Sequence, residues 1–549
     1  MKIKFYIFIP LLLVYTCERQ LVAPDRDNPF DIKSGLTIGD PFNLETQNRS
    51  DHIRINWDYI YEKPTVDSYI LYRLSETGID TLYTGKDTIF IDSDVEWDST
   101  YSYYVTGIIN GMETSPLEID DLPKVVRRIV VGPNGDYDSI TKALDSLNNR
   151  DMIYVQPGTY TERINFSGKR IQLKCDANPG ACILIGDGTG SIVTFPGGED
   201  STTILDGFKI TGGNSALDGG GMLINSSPSI INCIFSENNA LDRGGAIFLR
   251  QRSAPMIQNC IFNNNTTLKD GGAIYCDSDS QPYIKNCEFS GNYSIDGKGG
   301  AIAANRSSVF NPEPYNKKIN ITSCAFYQNL ALGINGSGGA ISIIDLMDVN
   351  ISSSDFSLNE AIKGGALYIS DVKGNIILNQ CIIENNIGVF GGGIYLEESG
   401  VINSINIQKC LLWNNSAFSG GAIYSEGSSY IINYCTLTAN AATQDFGGGV
   451  YNRFSSQAEI TNSILWENIA QSILREIYSD ESSLIIASYS DIKDGFEGIG
   501  IIDADPLFVN SKEGDFFLQK IEFGFDNNSP CIGSGENGTD MGAFGNAIP

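Results

Sequence analysis

The chain is expected to be all-β, with a small β-sandwich followed by a parallel β-helix, and three observations predict this. Ten anchor positions recur at Phe208, Cys233, Cys260, Cys287, Cys324, Ser354, Cys381, Cys410, Cys435 and Ser463, spaced 25, 27, 27, 37, 30, 27, 29, 25 and 28 residues apart. An apolar residue stands two on from each anchor and Asn five on, except that Phe208 has Gly213 there. In nine units a second phrase follows 10 to 14 residues later: Gly-Gly, Ala or Gly, then an aliphatic residue, as in Gly244-Gly245-Ala246-Ile247. Periods in this range mean a solenoid. Runs such as Ile230-Ile231-Asn232-Cys233-Ile234-Phe235 are rich in β-branched and aromatic residues and too short for helices, so they are strands.

A coil of about 27 residues has room for three such strands, and coils stacked at ~4.8 Å pair each strand with its copies above and below. Side-chain period two sends the anchor and the apolar residue two on into the core. The Asn falls at a corner, where its amide can bond to the turn and to stacked copies, and Asn tolerates the left-handed conformation. The Gly pair supplies positive φ at another corner. Ten units span roughly 45 to 50 Å. Ahead of them, Ile129 to Leu147 reads as strand, loop and amphipathic helix, with Ile140, Ala143, Leu144 and Leu147 on one face to cap the open end of the core. Ile153 to Tyr160 and Ile171 to Leu173 are the first coils.

These segments carry a family resemblance. Val131 to Leu173, with Gly-Asp-Tyr-x-Ser-Ile and Pro-Gly-Thr-Tyr-x-Glu, resembles the opening of pectin-lyase-like right-handed β-helix proteins. The Phe-x-x-Asn pairs (Phe235 to Asn238, Phe262 to Asn265, Phe289 to Asn292, Phe326 to Asn329, Phe356 to Asn359) and the Gly-Gly-Ala-Ile phrases resemble the repeats of polymorphic outer-membrane proteins, which are bacterial surface adhesins. The tail, with Asp505-Pro506-Leu507-Phe508, Asp515-Phe516-Phe517-Leu518, Ser529-Pro530-Cys531-Ile532 and Thr539-Asp540-Met541-Gly542-Ala543-Phe544, is similar to the closing segment of secreted bacterial β-helix proteins. The resemblance implies a right-handed helix over residues 128–549 but no particular activity, because one fold hosts many.

Lys2 and Lys4 before the apolar run Phe5 to Val14 read as a signal peptide, too short to span a membrane. Leu13-Val14-Tyr15-Thr16-Cys17 resembles a bacterial lipoprotein signal, which implies lipidation of Cys17, export and a place on the cell surface or outer membrane; ordinary secretion is the alternative. Membrane contact would then run through the lipid alone. Residues 18–39 read as a flexible tether. Residues 40–123 alternate strands and turns. Ile53 to Trp57, Tyr69 to Tyr72 and Tyr101 to Gly107 resemble strands B, C and F of a fibronectin type III domain, with Trp57 its core tryptophan and Tyr101 its corner tyrosine.

Sixty-six acidic against 37 basic residues leave a net charge of -29, which disfavours nucleic acid and anionic lipid partners. A disulfide ladder is not expected: stacked cysteines lie ~4.8 Å apart with parallel Cβ vectors, whereas a disulfide needs converging ones. Cys233, Cys260, Cys287, Cys324, Cys381, Cys410 and Cys435 are therefore read as small core hydrophobes. Cys175 and Cys182 flank a turn and either pair locally or stay reduced.

Catalytic signals are sparse. The single histidine, His52, excludes His-dependent triads. Asp218, Asp242, Asp270 and Asp296 each precede a Gly pair by one to three residues in four successive units, with Arg243, Lys269 and Lys298 adjacent. Stacked, these carboxylates are expected roughly 5 to 8 Å apart, near enough to share Ca2+. Asp242, Asp270, Lys269 and Arg243 are also the candidates for acid and base work. Asp equally favours turns before Gly. Phrases typical of pectin methylesterases are not seen. Trp413 and Trp466 point outward, either to stack on sugar rings or to pack under a loop, and Ala304 to Lys318 is a protruding insert. Together these features lead to a monomeric surface protein for adhesion or glycan binding, its partner a polysaccharide or a host or neighbouring cell surface, with no required cofactor. A lyase or hydrolase acting on an acidic glycan, and a purely structural role, are the alternatives.

Overall fold

The computed structural model describes residues 42 to 544 except 49–51, 60–64, 76–77, 96–99, 115–123, 127, 148–151, 251, 278–279, 306–317, 346–347, 373, 400–404 and 472–475. The leader, Cys17, the tether and most of the insert after Ala304 lie outside them. Two compact units are present, residues 1–127 and 128–549.

The first unit consists of two antiparallel sheets. Phe42–Asn48, Ile53–Tyr59 and Ile89–Asp92 form one; Gly78–Gly85, Ser68–Ser75, Thr100–Ile109, Met112–Glu113 and Lys124–Val126 form the other. Alternation places Ile53, Ile55, Trp57, Leu71, Tyr101, Tyr103 and Val105 in one core. Arg73 is buried and paired with Asp92 at 3.0 Å, and the Tyr103 hydroxyl donates to the same carboxylate at 2.9 Å. His52 stands just before the strand Ile53–Tyr59.

The second unit is a parallel solenoid of about twelve turns. The expected three strands per coil prove to be four. In one coil they are Met256–Gln258, Ile261–Asn263, Thr266–Thr267 and Ile274–Cys276, which belong respectively to sheets I, II, III and IV, of 14, 13, 10 and 12 strands. The helix Ile140–Ser146 closes the core with Ile140, Ala143 and Leu144, and Leu147 is buried after it. Glu162 of the opening coil accepts from the backbone N of Ile140 and Thr141 and from Ser139 Oγ, which explains the Glu in that motif.

Each anchor column is buried, and its thiols donate to backbone carbonyls, as Cys260 does to Gln258 at 3.3 Å. The seven ladder cysteines, Cys276 and Cys531 are free and buried. Phe235, Phe262, Phe289, Phe326 and Phe356 stack at 4.7 to 4.8 Å with their planes within 3°. The nine corner Asn residues, Asn238 to Asn468, are buried in an amide ladder. In each of its inner links a backbone N and an Nδ2 donate to Oδ1 of the next Asn, as from Asn265 to Asn292 at 3.1 and 3.0 Å, and Nδ2 also donates to a carbonyl of the preceding coil. The left-handed residue is not this Asn but the one before it, for example Asn264 (φ 53°), and a second left-handed corner precedes each anchor, as at Asn259 (φ 53°). The buried Asn is chosen for its two-sided amide. In the Gly pair the roles divide: Gly271 has φ +72°, whereas a Cβ on Gly272 would lie 2.0 Å from the carbonyl oxygen of Gly300.

Where the ladder ends, Glu476 replaces the next Asn, accepting from Asn468 N at 3.1 Å and Nδ2 at 2.5 Å. Burial pushes its carboxyl up to about 8. The closing segment buries Leu518, Cys531 and Met541 against Ile464. Cys531 Sγ donates to Asp491 at 3.1 Å, and burial raises that carboxyl to about 6. A folded pKa above the unfolded value of ~3.9 means that unfolding releases a proton between about pH 4 and pH 6, so this group costs stability as pH rises through that window, by about 3 kcal/mol at most. Asp491→Asn is therefore expected to raise the melting temperature at neutral pH and leave it little changed below pH 4; an equal shift at both pH values would contradict this assignment.

Candidate functional site

The row of four carboxylates that the spacing predicts does not form. Backbone pairing aligns the residues directly before the Gly pairs: Gly219 N donates to Arg243 O, Gly244 N to Asp270 O and Gly271 N to Lys298 O. The column thus reads Asp218, Arg243, Asp270, Lys298, with alternating sign. A cationic residue thus stands between the two carboxylates of the column. Among the described residues no three His, Cys, Asp or Glu side chains gather to hold a metal ion. Asp242 lies outside the column and pairs with exposed Lys269 at 2.5 Å, a surface pair worth about 1 kcal/mol or less. Asp296 is exposed. Asp270 Oδ1 accepts from the backbone N of Lys298 at 2.9 Å, and the Arg243 guanidinium lies 5.0 Å from the centre of the Tyr275 ring. Burial raises the carboxyl groups of both Asp218 and Asp270, to which the Asp242 charge adds.

Beside this column runs an aromatic ladder that sequence reasoning missed. Phe248, Tyr275, Tyr368, Tyr395, Tyr424, Tyr451 and Tyr478 share the outward column of sheet IV, interrupted by Ala303 and Ser342. Its signal was the Tyr after the aliphatic residue of the Gly-Gly phrase in five units. Tyr395, Tyr424, Tyr451 and Tyr478 stack at 4.8 to 4.9 Å, so neighbouring rings cover the faces a sugar would need. The Tyr368 and Tyr395 hydroxyls donate to Glu397 and Glu426, and Lys363 Nζ donates to Glu397 at 2.8 Å. Desolvation and these carboxylates push both phenols well up. The Tyr368 to Tyr478 part of this face is thus closed by its own stacking and ion pairs, whereas the buried hydroxyls of Tyr275 and Ser342 have no hydrogen-bond partner among the described residues.

Among the described residues, an open site lies at the corner between sheets I and II. A groove of about 430 Å³ runs along four coils there, lined by Asn259, Ile261, Asn286, Glu288, Ala325 and Asp355 among others. Asn286 Nδ2 donates to Asn259 Oδ1 at 3.3 Å, forming an exposed amide row. Tyr283 on sheet I and Tyr327 on sheet II are exposed in the same coils. Burial raises the Asp355 carboxyl, and burial together with the Asp355 charge raises that of Glu384, one coil on.

Further along, this corner is filled by the chain itself. Tyr434 Oη bonds Thr539 Oγ1 at 3.2 Å, the N–H of Glu536 donates to Asn462 Oδ1 at 2.7 Å, and that of Ala543 to Thr436 Oγ1 at 3.0 Å. Trp413 lies edge-on to Phe516 at 5.3 Å, and Trp466 packs against the same closing segment, so both outward tryptophans lie under it. Cys175 and Cys182 are joined by a disulfide with Cα atoms 5.7 Å apart at the same corner of an early coil.

The family described as right handed beta helix region matches residues 171–334, less than a third of the chain. Among curated proteins none matches. Similar solved structures include the pectin methylesterase from Aspergillus niger (15% identity, TM-score 0.30, covering 55% of this chain and 85% of that one). Others are a PL6 family polysaccharide lyase, Pedsa3628, from Pseudopedobacter saltans (13%, 0.32, 67% and 92%) and a family 28 exopolygalacturonase from Yersinia enterocolitica (9%, 0.31, 82% and 99%). At these scores the likeness carries no argument about chemistry. The fold is a right-handed parallel β-solenoid.

Proposed function

We propose that the solenoid binds a polysaccharide strand in the groove between sheets I and II without cleaving it, at the bacterial surface that the leader and Cys17 imply. One observation carries this: the corner that is open at Asn259 to Asp355 is occupied further on by the chain's own closing segment, which enters it through the turn Glu536–Gly538 and residues 539 to 543. A thin linear polymer is what such a channel accommodates. The amides of Asn259 and Asn286 and the hydroxyls of Ser323 and Ser353 supply donors and acceptors at a ~4.8 Å pitch, and exposed Tyr283 and Tyr327 flank the groove on the adjoining sheets. Glu288 and Asp355 make the lining acidic, which favours a neutral or amino-sugar glycan over a uronic one. A panel of neutral and acidic polysaccharides should therefore retain the full chain on neutral members, with or without Ca2+. Tyr327→Ala and Tyr283→Ala should each weaken retention about tenfold, a loss of roughly 1.4 kcal/mol. Retention unchanged by both variants would refute the groove.

The convergence of Asp218, Asp270 and Arg243 on one column favours a second reading, hydrolysis or lysis of an acidic glycan. New reducing or unsaturated ends, lost on Asp270→Asn, would establish it in place of the first.

A further inference from the structure

We infer that two copies of this chain associate side by side, antiparallel, through an aliphatic strip along the corner after sheet III. The residue after the inward residue of sheet III (Ala240, Thr267, Ser294, Ala331, Ala361, Gly388 and Ala417) is Leu241, Leu268, Ile295, Leu332, Ile362, Val389 and Phe418 in seven successive coils, held in register by the parallel pairing of that sheet. Leu241, Leu268, Ile295, Leu332 and Phe418 are 39% to 52% exposed, Ile362 and Val389 are partly exposed, and Ile334 beside the strip is 88% exposed. Core packing does not require them: the neighbouring Ala240, Thr267, Ser294 and Ala331 fill the inward positions. Seven rungs make a straight apolar ridge of roughly 29 Å. Contiguous apolar surface of this extent marks an interaction site rather than scattered exposure.

The occupant follows from pitch and charge. A matching surface must present apolar groups in a straight line at the same spacing, and this strip is itself such a surface, so an isologous two-fold contact is self-complementary. The chain carries a net charge of -29, yet the residues following the rungs include Asp242, Lys269, Asp296 and Lys363, two of each sign. Here two copies can approach without the repulsion felt elsewhere. With Leu332 on the two-fold axis all seven rungs overlap, and Asp296 of one copy lies over the rung followed by Lys363 of the other, whose Nζ also holds Glu397 of its own chain. A parallel arrangement would set Asp296 against the opposite flank of Asn239, Thr266, Tyr293 and Leu330. Seven rungs and their neighbours would bury on the order of 1,000 Å², where specific association begins.

Sedimentation of the full chain across micromolar concentrations is expected to show a dimer. Leu268→Glu and Leu332→Glu, both at exposed positions, should weaken it about 30-fold or more without lowering the melting temperature. The native free cysteines of the described residues are buried. Under mild oxidation Leu332→Cys should therefore cross-link to its own copy, whereas Leu241→Cys and Phe418→Cys should cross-link only when the two variants are mixed. A monomer throughout, or a dimer indifferent to both Glu variants, overturns the inference. A monomer whose Glu variants lose binding to phosphatidylcholine vesicles would assign the strip to a lipid surface and overturn it equally.

Discussion

Replacing Phe289 by alanine is expected to destabilise the solenoid by about 3 to 5 kcal/mol. The ring is fully buried, with Phe262 at 4.7 Å and Phe326 at 4.8 Å, so both faces lose their contacts at once. The flanking strands are pinned in parallel register on either side, which prevents the stack from collapsing into the space. Part of the loss is transfer free energy and part is the cavity. Phe289→Leu, which leaves a smaller void, should cost about half as much. Because each coil contacts chiefly its neighbours, the effect should appear as lost hydrogen-exchange protection centred on the coils of Phe262, Phe289 and Phe326, with the end coils far less affected. Denaturant unfolding that places the Ala variant within 1 kcal/mol of the parent would show that the stack is not where the stability lies.

A loss of the same size is expected from a change of one heavy atom. Asn359 donates from Nδ2 to Phe326 O at 3.0 Å and to Asn386 Oδ1 at 2.9 Å, and its Oδ1 accepts from Asn329 N and Nδ2. In Asn359→Asp an oxygen replaces that Nδ2 and faces two acceptors in a site without solvent. Either a charge is buried against oxygen atoms or a proton must be taken up, and the cost is about 4 kcal/mol or more. Its sign with pH follows. The folded pKa would lie above the unfolded ~3.9, so the variant should lose further stability as pH rises above about 4 and recover part of it in acid. The control is Asn264→Asp, at an exposed left-handed corner, where the loss should be below about 1 kcal/mol because water solvates the charge. Equal melting temperatures for the two variants would mean that the amide ladder is not the stabilising element it is taken to be here.

The contrast between these two asparagines shows how far the residues could be read in advance. Both occupy corner phrases and both are common turn formers, so composition does not separate them. Sequence periodicity marked Asn359 as recurrent, and recurrence led to the correct ladder, but also to the assumption that the recurrent residue takes the left-handed backbone. The left-handed position is variable, taking Glu237, Asn264, Gln328 and Leu358 in different coils, which conceals it from any search for repeats. The cap helix was legible because its buried residues follow helical period next to a strand. The tyrosine ladder had a signal too, directly after the Gly-Gly phrase, which was overshadowed by the phrase itself.

For candidate sites the limit was of another kind. Asp218, Asp242, Asp270 and Asp296 all lie in the turn before a Gly pair, yet only the residue directly before the pair joins the column: Asp218 and Asp270 stand there, whereas Asp242 stands one residue earlier and Asp296 two. Arg243 and Lys298 enter the column that Asp242 and Asp296 leave, and a row of like charges becomes an alternating one. Trp413 and Trp466 face outward by strand alternation, as expected, but outward is not exposed once a segment 50 to 130 residues further along the chain lies over them.

The sequence alone determined the repeating coil, its core columns, the amide ladder and the all-β class, because these follow from local periodicity copied ten times. Only the tertiary structure decided which charges neighbour which, which corner stays open and which apolar residues remain uncovered. Those depend on the exact place of a side chain within its turn and on a distant segment returning to the solenoid, and a loose repeat phrase records neither.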